Sequence, residues 1–240
     1  MKVCLITATK NRHKHLERLT RFVLNQTVDS YVHLIFNNAP TELRLNRNLP
    51  SDKFIIINNH ISLTTGKPYE TLGEIYNDAI KYVPEDCDII NHMDDDDIFL
   101  PNHIEEGIKG LEKGKTKAYK PQKSWYKHGR NKPVLVENTL EPSIFVDSLH
   151  VKQYGYGIES VAQHHKWINP LVYEKQIFVD PDGVPTYICD WSQEIGTFKT
   201  SGDPHNPNNF RNYESWSRDI GDGIITPCSQ SWADHYCRIK

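Results

Sequence analysis

Short apolar runs and helical stripes alternate along the first half of the chain. Residues 3–7, Val-Cys-Leu-Ile-Thr, form an uncharged run with β-branched members, the pattern of a strand buried on both faces. Between positions 14 and 24, Leu16, Leu19, Phe22 and Val23 recur at helical spacing with charges between them. Residues 31–36 predict a second strand, stopped by the turn signal Asn37-Asn38-Ala39-Pro40. Residues 54–57 predict a third, ended by Asn58 and Asn59. Leu72, Ile75, Ala79, Ile80 and Val83 make one helical stripe, and Pro84 lies just past it. Residues 88–93 predict a fourth strand that runs into Asp94-Asp95-Asp96-Asp97, and Pro101 then opens a helix with Ile104, Ile108 and Leu111 inward. The order β-α-β-β-α-β-α predicts an α/β layered fold whose mostly parallel central sheet is flanked by helices. Ligands of such sheets bind at the carboxyl ends of the strands. Those ends carry Thr7-Ala8-Thr9-Lys10-Asn11-Arg12, Asn37-Asn38 and the four aspartates.

The second half is less periodic. Residues 134–136 and 143–146 predict strands, 147–154 a short helix ending at Gly155, and 186–191 a strand after the turn Pro181-Asp182-Gly183. Glycine, proline and asparagine dominate from 202 to 223, which predicts loop. No repeat and no linker-like stretch divides the chain, so one domain over 1–240 is expected. A composition of 38% hydrophobic and 25% charged residues excludes wholesale disorder. No stretch approaches the roughly 18 apolar residues of a membrane span. The N-terminal run turns polar at Lys10 without a small-residue cleavage site, so it predicts a strand and no signal peptide. Five scattered cysteines make no disulfide framework, which suits a reducing cytoplasm.

A net charge of −3 implies no polyanionic partner by itself, but the distribution is uneven. Residues 83–108 hold nine carboxylates and no lysine or arginine, whereas 109–132 hold eight lysines and one arginine against Glu112. Such neighbouring blocks can be two solvated faces, or can hold a cation and an anionic substrate side by side. The strand-end aspartates favour the second reading. If strand geometry persists, Asp94 and Asp96 share a face about 7 Å apart, with Asp97 on the other. Two carboxylates about 5 Å apart repel by roughly 3 kcal/mol at an effective dielectric of 20. A bound Mg²⁺ or Mn²⁺ removes that penalty and accepts one or two carboxylates plus phosphate oxygens.

With these elements the chain resembles the family 2 glycosyltransferases. The resemblance rests on Ile6-Thr7-Ala8-Thr9-Lys10-Asn11-Arg12, Val23-Leu24-Asn25-Gln26-Thr27, Gly73-Glu74-Ile75-Tyr76-Asn77-Asp78-Ala79 and Asp94-Asp95-Asp96-Asp97-Ile98-Phe99-Leu100-Pro101. It covers about residues 1–115 well and the rest loosely. It implies a GT-A (Rossmann-like) fold, with a nucleotide-sugar-binding half at 1–115 and an acceptor-binding half at 116–240. It also implies metal-dependent, inverting transfer of a sugar from a nucleotide sugar to an acceptor hydroxyl in the cytoplasm. Asp96 then maps to the metal, with Asp94 and Asp95 beside the donor ribose and nucleotide. Thr7, Thr9, Asn11, Arg12 and Asn77 map to the donor pocket. Where the family usually has an aspartate that reads the base, this chain has Asn37 and Asn38. An amide can still pair with uracil, which keeps a UDP-sugar in view.

The acceptor hydroxyl needs a general base, worth typically 10²–10⁴-fold. In the family this is a carboxylate opening a helix after a glycine. Gly155-Tyr156-Gly157-Ile158-Glu159 is the nearest match, making Glu159 the first candidate. His164 or His165 stands where an acidic pair is often found, and Asp190 ends a late strand. Thr200-Ser201-Gly202 resembles a signature before an acceptor loop, and His205 is a candidate further metal ligand. Cys228, His235 and Cys237 match no common zinc spacing.

Lys120, Lys123, Trp125 and, further on, Trp191 are candidate acceptor contacts. Cations among aromatics suit a nucleic-acid backbone with flipped bases, or a sugar stacked on a ring. Members of this broad class include bacteriophage enzymes that glycosylate hydroxymethylated DNA bases in the host cytoplasm. The resemblance therefore leaves DNA or a glycan as acceptor. Two rival classes are a nucleotidyltransferase on a similar fold and a non-catalytic module that binds a cation or carbohydrate. The latter has no need of the segment from Thr7 to Arg12.

Overall fold

The computed structural model describes residues 1–45, 49–128, 133–138, 141–160, 162–191 and 226–227. The first half runs β1 (Val3–Thr9), α1 (His13–Leu24), β2 (Tyr31–Asn37), β3 (Phe54–Asn58), α2 (Leu72–Ala79, extended by a 3₁₀ turn Ile80–Tyr82), β4 (Ile89–His92), β5 (Ile98–Phe99) and α3 (His103–Gly114). The second half runs β6 (Ala118–Pro121), β7 (Lys123–His128), β8 (Val134–Glu137), a 3₁₀ turn Glu141–Ser143, β9 (Phe145–Asp147), α4 (Ser148–Tyr154), α5 (His165–Tyr173), β10 (Ile177–Asp180), β11 (Tyr187–Trp191) and β12 (Thr226–Pro227).

A seven-stranded sheet has the order β10-β6-β9-β4-β1-β2-β3. All its neighbouring pairs are parallel except those of β9, which runs antiparallel to β4 and β6. A second sheet, β12-β8-β7-β11-β5, holds the aspartate segment's downstream strand against the chain's later part.

β1 is central, and its apolar run is continuous because both faces are covered. Val3 and Leu5 pack with Leu16, Leu19 and Phe22 of α1, whereas Cys4 and Ile6 pack with Ile75 and Ala79 of α2 and Trp167 of α5. Each fully buried leucine of this kind contributes about 1.5–3 kcal/mol. α2 is begun by a capping box, in which the Thr71 side chain accepts from Glu74 N and the Glu74 carboxylate accepts from Thr71 N. α3 lies close on the sheet because Gly107 and Gly110 face the rings of Phe145 and Tyr119, where a Cβ would come within 2.4 Å and 2.2 Å. No helix of the described residues is long and apolar enough to cross a membrane.

Three expectations change. The strand at 143–146 is a 3₁₀ turn followed by β9, since Pro142 cannot donate to a ladder. The fourth strand stops at His92, and the aspartates form a tight turn in which Asp97 N donates to Asp94 O at 3.3 Å. The basic segment 109–132, for which no strand is expected, holds β6 and β7 after the end of α3.

Two buried histidines make the fold acid-sensitive. His33 meets the Thr7 hydroxyl at 2.8 Å, and His103 meets Thr186 Oγ1 at 2.8 Å and Asn91 Oδ1 at 3.2 Å. Burial pushes both imidazoles down from 6.5 to about 3. The stability they contribute is therefore full above pH 6.5 and is lost as pH falls toward 3. Acidification from pH 7 to 5 is expected to cost about 2 kcal/mol per histidine. Urea midpoints at the two pH values check this, and equal midpoints would contradict it.

Candidate functional site

The loop after β1 and the turn after β4 meet because their strands are adjacent and parallel, with Ile6 opposite His92. Thr9 Oγ1 donates to Asp95 Oδ2 at 2.7 Å. Arg12 Nη1, from the residue that starts α1, bridges Asp95 Oδ1 at 2.7 Å and Asp96 Oδ2 at 3.1 Å. The carboxylate repulsion expected from the sequence is thus met by a guanidinium. Burial pushes the Asp95 carboxyl above its ordinary range, Arg12 pulls it back and Asp96 pushes it up again. Arg18, one and a half turns along α1, donates from Nη2 to the Asp96 backbone oxygen at 2.6 Å and pairs through Nη1 with Asp190 Oδ2 at 3.1 Å.

The four aspartates have different surroundings. Asp94 is half-buried at the mouth of the turn, and Asp95 and Asp96 are buried against Arg12. Asp97 accepts from the Tyr187 hydroxyl at 2.5 Å and from Asp190 N at 2.8 Å, tying the turn to β11. A turn, not strand alternation, therefore separates their directions, and Asp97 supports the fold. Among the described residues no three His, Cys, Asp or Glu side chains converge to hold a metal by themselves. One or two carboxylates at a polar turn suit a divalent ion that takes its remaining ligands from phosphate oxygens and water. Asp96, with Asp94 beside it, fits that donor set.

Several predicted donor contacts face inward. Thr7 is fully buried, its hydroxyl donating to Met93 O at 2.7 Å as well as meeting His33. The Asn37 amide donates to Thr41 O and Asn58 Oδ1 and accepts from Ala39 N, so it shapes the loop after β2. Asn77 uses both ends of its amide on the Tyr156 backbone, at 3.0 Å and 2.8 Å. Asn11 is exposed with a positive φ of 57°. Asn38 is half-buried, its backbone N–H on Thr9 O at 3.0 Å, and its side chain makes no hydrogen bond among the described residues.

The base candidates separate clearly. Asp190 is buried with Arg18 on one oxygen and Lys127 Nζ 3.4 Å from the other, so two cations hold its carboxylate in place. Glu159 is exposed beside Gly157, and its backbone oxygen accepts from Gly73 N at 3.0 Å at the start of α2. Gly73 is required there, since a Cβ would come within 1.7 Å of Gly157 O. His164 starts α5 with its Nδ1 2.5 Å from Glu141 Oε2.

The acceptor expectations are mostly corrected. Trp125 is 4% exposed and donates from Nε1 to Pro185 O at 3.2 Å, so its ring is core and not a stacking face. Lys120 is half-buried and donates to Asn138 O at 2.5 Å. Lys109 pairs with Glu105 and Glu106, Lys113 with Asp180, and Lys127 with Asp190. Lys115 and Lys117 line a cavity of about 530 Å³ with Met1 and Asp88, at the amino end of β4 and away from the aspartates. Among the described residues the basic run therefore forms no single stripe. Lys123 stays exposed on β7. The Trp191 side chain, His205, the segment Thr200-Ser201-Gly202, Cys228, His235 and Cys237 lie outside the described residues.

No family profile matches the sequence, and no curated protein does. Solved structures do match. A 1–349 segment of S. aureus TarS in complex with UDP-GlcNAc is 14% identical with a TM-score of 0.61, over 88% of this chain and 64% of that one. A mannosyltransferase from Pyrobaculum calidifontis, in complex with GDP-Man and Mn²⁺, is 12% identical with a TM-score of 0.54, over 81% and 58%. The fold is GT-A. The chain spans about 60% of the length of the TarS segment whose coordinates it matches. Within the GT-A frame, sequence reasoning missed Arg18 and Lys127, which meet at Asp190, and Glu141, which meets His164. No local motif marks them, because each finds its partner through tertiary packing.

Proposed function

We propose that this protein is a glycosyltransferase that moves a sugar from a nucleotide sugar to an acceptor hydroxyl, with Mn²⁺ or Mg²⁺ and with inversion. The observation that carries the reading is the aspartate turn at the end of β4, braced by Thr9 and Arg12 from the loop after β1. That loop and turn place buried carboxylates and a cation at the carboxyl ends of parallel strands, where nucleotides bind in open α/β sheets. The TarS and mannosyltransferase complexes support a nucleoside diphosphate sugar as donor. The UDP complexes of TarS support uridine in this reading, in which the Asn38 amide would pair with the base.

In this reading Asp96, with Asp94, holds the cation, which when bound supplies Lewis-acid stabilisation of the leaving diphosphate. Arg12 pairs with both Asp95 and Asp96 and adds positive charge beside the departing group. Asp97 and Asp190 keep the turn in register with β11. The acceptor oxygen forms the new bond to the anomeric carbon while the bond to the diphosphate breaks. The dispersed lysines favour a glycan or other small hydroxyl compound over a DNA backbone as acceptor.

A thermal-shift screen of nucleotide sugars with and without Mn²⁺ tests the donor. A shift that needs both together is expected. Stabilisation by nucleoside triphosphate with release of pyrophosphate would instead identify a nucleotidyltransferase. Stabilisation by Mn²⁺ alone, with no nucleotide effect, would identify a cation-binding module.

A further inference from the structure

Glu141, His92 and His164 bring polar atoms together in a buried place. Glu141 Oε2 lies 2.5 Å from His164 Nδ1, and Oε1 lies 3.7 Å from His92 Nδ1. None of Glu141 Oε1, His92 Nδ1 and His164 Nδ1 makes an aligned hydrogen bond, although all three are shielded from water. A buried polar atom left in that state costs about 1–3 kcal/mol, so each of these atoms calls for a partner: a catalytic role, a water or an ion. The surroundings are otherwise aromatic. Tyr76 packs edge-on to His92 at 5.0 Å and Tyr156 takes the His92 Nε2 through its hydroxyl, while Trp167 stacks on the His92 ring at 6.1 Å.

The cluster adjoins the aspartate turn. His92 ends β4 two residues before Asp94. Burial pushes the Tyr76 hydroxyl up, and the Asp94 and Glu141 carboxylates both add to that rise, so one hydroxyl senses the two sites. Both members of the closest pair are held by backbone. Asn91 Nδ2 donates to Pro142 O at 2.9 Å and Ile144 O at 3.0 Å, pinning the 3₁₀ turn that carries Glu141 to β4. His164 accepts on its backbone oxygen from Trp167 N and Ile168 N at the head of α5. Its side chain keeps 20% of its surface open, compared with 1% for His92. His165 lies edge-on to His164 at 4.8 Å, and Lys166 reaches toward Gly155.

We propose that Glu141 and His164 form a carboxylate–imidazole pair in which Glu141 positions the ring and His164 takes the proton of the acceptor hydroxyl. The pair deepens the transfer reading and rests on it. In this pair a small turn of the His164 ring would give its Nδ1–H to Glu141 Oε2, 2.5 Å away, which leaves Nε2 as the basic nitrogen. As the acceptor oxygen bonds to the anomeric carbon, its proton passes to Nε2, and the electron pair of the broken bond leaves with the nucleoside diphosphate. His164 is the catalytic residue of the pair, and Glu141 is a positioning residue.

The test uses the full chain with Glu141→Gln, His164→Asn and the double variant. Nucleoside diphosphate release is measured with Mn²⁺ and nucleotide sugar, donor affinity by calorimetry, and the His164 ring by ¹⁵N NMR. His164→Asn is expected to lower kcat by about 10²-fold or more, and Glu141→Gln by about 10-fold or more. The double variant should be no worse than His164→Asn, because the two act as one unit. Donor affinity should be unchanged throughout, which also shows that the variants fold. The ¹⁵N pattern should report an Nδ1–H ring in wild type and a shifted tautomer balance in Glu141→Gln. Normal turnover and an unaltered ¹⁵N pattern in Glu141→Gln would overturn the pair alone. A wild type that releases no nucleoside diphosphate from any sugar nucleotide would overturn the transfer reading, and the base role with it.

Discussion

Asp96→Asn is expected to abolish sugar transfer while leaving the fold intact. The amide keeps the shape of the carboxylate and its contact with Arg12, but loses the charge that a divalent ion needs. Losing one electrostatic contact to a developing charge typically costs about 10²–10³-fold in kcat, and losing the ion adds to that. Calorimetry with Mn²⁺ present should show donor affinity falling in parallel. Equal donor binding in wild type and Asp96→Asn would place the ion elsewhere. Asp97→Asn should behave differently, because Asp97 accepts from Tyr187 and Asp190 at the turn's far side. Its main effect should be on stability.

Arg12→Met is expected to destabilise the fold as well as weaken donor binding. Asp95 is 3% exposed, and without Arg12 it would be left with the Thr9 hydroxyl on the β1 side and no compensating charge there. Removing one member of a buried pair typically costs about 3–5 kcal/mol. The Arg12 side chain is 23% exposed, which puts the expected loss near the low end, about 3 kcal/mol. The pH dependence has a definite sign. Burial already raises the Asp95 carboxyl in the folded chain, and losing Arg12 raises it further. Its burden is therefore present at neutral pH and relieved as pH falls through the raised folded value. The urea midpoint of Arg12→Met should approach that of wild type as pH falls from 7 to 5. Arg12→Lys should recover only part of the loss, since one ammonium replaces a fork that spans both carboxylates. A midpoint for Arg12→Met equal to wild type at pH 7 would contradict the bracing role.

The strands β1 and β2 were readable because burial on both faces leaves mostly apolar runs, and β3 and β4 because short isoleucine runs end at polar turn residues. The place of the aspartates was readable for the same reason, since they follow such a run. Their geometry was not, because consecutive aspartates do not reveal whether a strand continues or turns. β7 escaped notice because Ser124, Trp125, Tyr126 and Lys127 are all buried in succession, which erases the two-residue alternation of a half-exposed strand. Two lysines of that region looked like part of a solvated or DNA-facing run because their partners are remote. Lys113 meets Asp180 across 67 positions, and Lys127 meets Asp190 across 63. The base was ambiguous for a similar reason. Glu159 matched a local pattern, whereas our proposal of His164 rests on its approach to Glu141, on a separate turn.

The central claim is that the braced aspartate turn binds a nucleoside diphosphate sugar with a divalent cation and releases the nucleoside diphosphate. The most direct measurement is product analysis of wild type and Asp96→Asn incubated with UDP-sugars and GDP-sugars, with and without Mn²⁺. The account predicts Mn²⁺-dependent release of nucleoside diphosphate by wild type and none by Asp96→Asn. Release that is unchanged in Asp96→Asn, or pyrophosphate formed from a nucleoside triphosphate, would contradict it.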